Sequence, residues 1–113
     1  FSKEILLAAK GKFLVNVGRG DIVDEEGLWL SLSRGVLKGA AVDTWYTYPQ
    51  GGATRGSPSR FPIHTLPNVI LSPHVGGSTA EANVIAARQT VENIAEWLST
   101  GSCSREGNLE EMY

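Results

Sequence analysis

The chain has 113 residues, with 10 basic and 12 acidic side chains, a formal charge of −2 and 42% hydrophobic residues. That length allows one domain at most, the hydrophobic content argues against disorder, and the mixed, nearly balanced charge excludes nucleic acid or an anionic bilayer as the expected partner. Cys103 stands alone, so neither a disulfide framework nor a cysteine metal cluster is expected; apolar runs fall short of a membrane span and no signal-peptide pattern opens the sequence, which together predict a reducing, cytoplasmic setting.

Residues 1–10 predict a short helix with Ile5, Leu6 and Ala9 on one face, ended by Gly11. Phe13-Leu14-Val15-Asn16-Val17 is an apolar run bounded by glycines and suits a buried parallel strand. Gly18-Arg19-Gly20 follows as a turn. Asp24 is placed to cap a helix through Glu25, Glu26, Leu28, Trp29, Leu30 and Leu32, which stops at Arg34-Gly35. Gly39-Ala40-Ala41-Val42-Asp43 is a second buried strand, with small residues that let a helix pack close. The connection from Tyr46 to Asn68 is long and rich in Gly, Pro, Ser and Thr, and such loops are usually functional or mobile. Its tip, residues 51–58, has a flexible composition, while Phe61-Pro62-Ile63 and Leu66 are expected to tuck back onto the body. Val69-Ile70-Leu71 is a third strand. Ser78-Thr79-Ala80-Glu81 reads as a capping box that opens a helix from about Thr79 to Leu98, closed by Gly101. Val84, Ala87, Val91, Ile94 and Leu98 step along one face of it, expected to be core rather than a dimer surface. The tail, residues 102–113, is polar, with Leu109, Met112 and Tyr113 as docking candidates. This order predicts an α/β fold with a parallel sheet of about three strands, part of a larger domain.

Residues able to carry chemistry gather at the strand ends. Pro73 has no N–H to donate and ends the third strand, delivering His74 beside Gly76 and Gly77. An ionisable ring at a strand's carboxyl end is where open α/β sheets bind ligands. Gly18-Arg19-Gly20 invites a dinucleotide-fingerprint reading with Asp43 as the ribose acid. Val23 stands where a third glycine is needed, however, and the glycine pair lies too far ahead of the helix cap for phosphate to meet a helix N-terminus. What remains is an arginine on a two-glycine turn, whose planar fork suits a carboxylate. Parallel strands share one carboxyl edge, so Arg19, Asp43 and His74 are expected to face a common crevice.

Three blocks, Asn16 to Glu25, Gly39 to Trp45 and Leu66 to Gly77, resemble the D-isomer-specific 2-hydroxyacid dehydrogenases, in the same order, with similar spacing and over nearly the whole chain. The resemblance implies a partial Rossmann-type, doubly wound sheet. It implies that Arg19 grips the substrate carboxylate, that His74 is the acid/base at the 2-keto oxygen, and that Asp43 lies near the nicotinamide carboxamide. Val17, Gly18, Gly76 and Gly77 would bring backbone close to the nicotinamide end of NAD or NADP, with Arg19 and His74 bordering it. His64 has no counterpart role, and no metal is implied. Five positions beyond Asp43, where relatives usually carry a carboxylate and formate dehydrogenases a glutamine, stands Tyr48. A phenol offers a hydrogen bond or packing in place of a charge that would favour imidazolium, so Tyr48 joins the catalytic candidates.

The family's glycine fingerprint, adenosine-binding strand and most of its substrate domain are expected upstream of Phe1. Residues 1–101 then form the carboxyl-terminal half of a dinucleotide-binding domain, including a return helix over 79–98, and 102–113 a tail. The expected whole is an NAD(P)-dependent oxidoreductase interconverting a small 2-hydroxy acid and its 2-keto acid, a homodimer completed by the remainder of the dehydrogenase chain. The isolated segment is expected to bind NAD(H) poorly and turn nothing over. A non-catalytic NAD(H)-sensing or protein-binding module of the same fold is the alternative, and a free-standing domain pairing through its sheet edge a third.

Overall fold

Helix α1 (Lys3–Ala8) is shorter than the predicted span, because the chain turns through Lys10 and reverses at Gly11, whose φ is +76°. A computed structural model describes residues 1–51, 53 and 55–107, and divides them into two units, Phe1–Gly76 and a second from Gly77 onward. In the first, Leu6 of α1 is buried whereas Ile5 is exposed, which corrects the predicted helix face. Strand β1 (Phe13–Asn16) leads through a short 3-10 turn, Gly20–Ile22, to helix α2 (Glu25–Ser33). As predicted, Asp24 caps α2, its Oδ1 accepting from the Gly27 N–H at 2.6 Å. Gly27 also sets the approach of the two helices: a Cβ there would lie 2.7 Å from the Lys3 Cα.

Strands β2 (Gly39–Val42) and β3 (Val69–Leu71) complete a three-stranded, all-parallel sheet in the order β1-β2-β3, a partial Rossmann arrangement. In register, Leu14 pairs with Ala40 and Ala40 with Val69, and these face the helices. Leu6, Leu28 and Leu32 close over Ala40 and Val42, joined by Val23, Leu37, Trp45 and Ile63. The opposite face carries Phe13, Val15 and Ile70, all exposed. The predicted two-sided burial of β1 is therefore corrected. Period-2 alternation sends Leu14 and Asn16 to the helical layer and Phe13 and Val15 away from it.

The long connection is anchored rather than loose at its ends. The Tyr46 and Thr47 N–H groups both donate to the Pro58 carbonyl. Glu25, buried at the start of α2, accepts from the Ser59 hydroxyl, the Arg60 N–H and the Arg60 guanidinium. Burial pushes its carboxyl up, but those hydrogen bonds and the arginine charge outweigh it and leave the net shift downward. Phe61 stacks on Trp29 at 5.1 Å, and Ile63 is fully buried, so the predicted tuck of this segment is found. Gly52 and Thr54 at the loop tip lie outside the described residues.

In the second unit, helix α3 (Ala80–Thr100) starts one residue later than a capping box on Ser78 requires. Thr79 is the cap, its Oγ1 accepting from the Ala82 N–H at 3.0 Å, and Glu81 falls one position short of the reciprocal bond. Gly101, with φ +76°, ends the helix as predicted, its N–H donating to the Trp97 carbonyl. Val84, Val91, Ile94 and Leu98 are all exposed, which corrects their reading as core. Leu109, Met112 and Tyr113 lie outside the described residues. Among the described residues no helix is long and apolar enough to cross a membrane, and no group of three His, Cys, Asp or Glu is placed to hold a metal.

Candidate active site

The three strands end level. Asn16 pairs with Val42 and Val42 with Leu71, so the chain leaves the sheet at one carboxyl edge three times in succession. Neighbouring strands lie about 4.8 Å apart, which sets the exits of β1 and β3 about 10 Å from each other across β2. Arg19 lies three residues past the first exit, Asp43 immediately past the second and His74 three past the third.

Asn16 shapes the first turn. Buried at the end of β1, its Oδ1 accepts from the Gly18 N–H at 3.1 Å and its Nδ2 donates to the Arg19 carbonyl at 2.8 Å. Gly20 lets this turn press on the chain leaving β2, since a Cβ there would fall 2.3 Å from the Trp45 carbonyl oxygen. Ordinary side chains cannot be accommodated at that distance. Arg19 itself is exposed, with Nη1 donating to the Gly18 carbonyl and the remaining guanidinium N–H groups free of protein partners among the described residues.

Asp43 shapes the turn after β3. Its Oδ1 accepts from the Ser72 hydroxyl and from the Val75 N–H at 3.0 Å, and its Oδ2 from the Gly76 N–H at 2.9 Å. The Ser72 hydroxyl, followed by the Gly76 amide, holds the carboxyl below the usual aspartate range. Held between these bonds, His74 sits in the left-handed region at φ +59°, uncommon for a residue with a side chain and found disproportionately at functional sites. Gly76 is the tight partner: a Cβ would come 3.0 Å from Asp43 Oδ2.

Trp45 ties the two turns together. Its Nε1 donates to the Ser72 carbonyl at 2.9 Å, its own carbonyl backs Gly20, and its N–H donates to Tyr48 Oη at 2.9 Å. Tyr48 Oη in turn lies 2.8 Å from His74 Nδ1. A cavity of about 680 Å³ is lined by Trp45, Tyr48, Arg55, Leu71 and Pro73; it takes in the Tyr48 side of this pair and not His74.

The predicted site residues of the first unit thus fall on one sheet edge, with Val17 and Gly18 exposed on the β1 side and Gly76 on the β3 side. Gly77 opens the second unit and is exposed. His64 is exposed on the 3-10 turn Ile63–Thr65, and its side chain makes no hydrogen bond among the described residues. Asn16, Ser72 and Trp45 were not among the candidates. Asn16 carried a signal, an Asx side chain directly ahead of a glycine turn. The contacts of Ser72 and Trp45 bridge 27 and 29 residues of sequence and left no local trace.

Residues 2–76 match the family model for the D-isomer specific 2-hydroxyacid dehydrogenase, NAD binding domain. The chain is 35% identical over 111 residues to D-3-phosphoglycerate dehydrogenase of Escherichia coli K12, covering 98% of this chain and 26% of the relative. Among solved structures, the NADPH-dependent glyoxylate/hydroxypyruvate reductase of Sinorhizobium meliloti is similar at 31% identity and TM-score 0.68, over 91% of this chain and 30% of that one. A D-isomer specific 2-hydroxyacid dehydrogenase from Xanthobacter autotrophicus Py2 is similar at 27% identity and TM-score 0.73, over 99% of this chain and 43% of that one. The chain spans about a quarter of the length of the curated relatives it matches. With its strand-end blocks, parallel sheet and matched residues 2–76, the chain belongs to the D-isomer specific 2-hydroxyacid dehydrogenase family, within the NAD binding domain.

Proposed function

We propose that this chain supplies the carboxylate-binding arginine and the proton-transferring histidine of an NAD(P)-dependent oxidoreductase that interconverts a small 2-hydroxy acid and its 2-keto acid. The observation that carries the reading is the level ending of the three strands, which brings Arg19, Asp43 and His74 to one edge. A guanidinium with N–H groups free of protein partners among the described residues suits a planar carboxylate, and an imidazole, which can exchange a proton with a substrate oxygen, suits the adjacent carbonyl. NAD- or NADP-linked relatives of the family make the nicotinamide the partner to test against this edge.

The edge fits the nicotinamide end of the cofactor. An ionised carboxylate offers about four acceptor positions. Ser72, Val75 and Gly76 use three on Asp43, which leaves one for a carboxamide N–H. The bound nicotinamide supplies the hydride. Arg19 orients the keto acid by its carboxylate, and His74 delivers a proton to the oxygen left by hydride arrival, or removes it in the reverse direction.

The test is turnover of a panel of 2-keto acids with NADH and NADPH by the full-length protein. His74→Gln is expected to lower kcat by about 10²–10⁴-fold, the range a positioned general acid supplies. Arg19→Gln is expected to act mainly on KM. Failure to reduce any keto acid, or retention of full kcat by His74→Gln, sinks the reading in favour of a sensing module.

A further inference from the structure

Relatives that pair the histidine with a carboxylate give it a partner that can only accept a proton. Tyr48 is a different kind of partner, and its surroundings decide which way the bond runs. A phenol oxygen carries one proton and can also accept. The Trp45 N–H, which can only donate, reaches that oxygen at 2.9 Å and occupies its accepting side. Trp45 is held firmly in that role: it is 8% exposed, its indole is bonded to the Ser72 carbonyl and its carbonyl is packed on Gly20. The one proton of Tyr48 is therefore free to point along the 2.8 Å line to His74 Nδ1. Were Nδ1 to carry the proton instead, Oη would receive two donors and its own hydrogen would have no protein acceptor among the described residues.

We infer that Tyr48 is a positioning residue for His74, donating to Nδ1 and so fixing the neutral ring as the tautomer with its proton on Nε2. The chain of donors runs from the Trp45 backbone through the phenol to the imidazole. It leaves Nε2, which carries the ring's N–H, as the only ring nitrogen without a protein partner among the described residues. As that proton passes to the substrate oxygen, Nδ1 takes the phenol hydrogen, so that the ring stays neutral and the negative charge moves to Tyr48, and the reverse direction runs the same relay backwards. The tilted contact of the two rings, with centroids 5.5 Å apart, holds the orientation. The inference rests on the proposed role of His74 and adds the residue that sets the state in which the ring waits for substrate.

The experiment is ring-nitrogen NMR on full-length protein labelled with 15N-histidine, with the His74 signals assigned by their loss in His74→Gln. The expected result is a bare Nδ1 and a protonated Nε2 in the neutral ring. Tyr48→Phe, which keeps the ring contact and removes the hydroxyl, is expected to move both resonances toward a mixture of tautomers. It should also lower kcat by about tenfold, part of what a positioned acid contributes, with little change in KM. Tyr48→Glu gives the opposite sign, because a carboxylate has no proton to give and draws one onto Nδ1. A purely structural role for Tyr48 predicts no such inversion. A proton found on Nδ1 in the unaltered protein, or resonances unmoved in Tyr48→Phe, overturns the inference whatever the activity does. Resonances that move while kcat stays unchanged uphold the pairing and overturn instead the assignment of His74 as proton donor.

Discussion

Asn16 is the last residue of β1 and Asp43 the first beyond β2, and each holds a turn at the shared edge, one bearing Arg19 and the other His74. They hold it differently. Asn16 reaches no further than Arg19 along its own chain, donating with one amide atom and accepting with the other. Asp43 reaches across to the exit of β3, 29 to 33 residues away in sequence, and only accepts. The arginine turn is thus local structure that a neutral amide closes on itself. The histidine turn is held by bonds that need β2 and β3 in register and accepting oxygens on both sides of the Asp43 carboxylate. On the proposed roles, an exposed, charged substrate grip would tolerate a local scaffold, whereas an acid/base group that must meet one atom would need tertiary bonds on both sides of it.

Asp43→Asn is the substitution that strikes this contrast hardest. The amide keeps the shape but turns one accepting oxygen into a donor facing a hydroxyl or N–H donor. The His74 turn is expected to shift, and misplacement of a reacting group by about 1 Å costs about 10²-fold. We expect that loss in kcat/KM for a keto acid, with affinity for a non-reducible analogue such as oxamate nearly kept, because the Arg19 turn has its own clasp. Equal losses in both measurements would show that the two turns are one structure.

Asn16→Ala is the mirror image. It frees the Gly18 N–H and the Arg19 carbonyl, both on exposed residues that water can reach, so the turn loses its clasp at the cost of about two hydrogen bonds, each about 0.5–1.5 kcal/mol. The expected kinetic signature is a KM raised by about tenfold with kcat largely intact, the reverse of the split at Asp43. A fall in kcat without a change in KM would mean that Asn16 supports the histidine rather than the arginine.

What the sequence revealed follows the same division. The Asp24 cap, the Gly35 and Gly101 stops and the three strands are local patterns, and the structure has them where the periodicity and capping residues put them. The Ser78/Thr79 choice missed by one residue because both are capping types, and only the Ala82 N–H, reached by Thr79, settles it. β1 looked buried on both sides because its apolar run masks alternation: Phe13 and Val15 face away from the helices that Leu14 meets. Arg19, Asp43 and His74 were legible as one group because parallel strands share an edge. The bond from Tyr48 to His74 was legible only through the family resemblance, which put Tyr48 where relatives carry the histidine's acid, and the anchoring of the long loop by Glu25 not at all, since these contacts join residues 26 and 34–35 apart that no local pattern relates.

The smallest expected effect comes from acid and from Ser72. The Ser72 hydroxyl is the main cause of the lowered Asp43 carboxyl, so the folded group titrates below its ordinary value of 3.8. A depressed folded value means that the clasp contributes in full above the unfolded value and is lost as pH falls through the folded one. The His74 turn should therefore stay intact above about pH 4 and loosen below it, while the Arg19 turn, closed by a neutral amide, does not respond. Ser72→Ala removes one donor and leaves two, so activity near neutrality should fall by no more than a few-fold. Its distinguishing mark is that acid loosening of the turn, followed through the Val75 and Gly76 amide resonances, begins at higher pH than in the unaltered protein. The Gly18 amide, bonded to Asn16, is the internal control and should stay unmoved over the same interval in both proteins. A Gly18 resonance that titrates together with Gly76 would mean that Trp45, lying between the turns, transmits the loss of one clasp to the other.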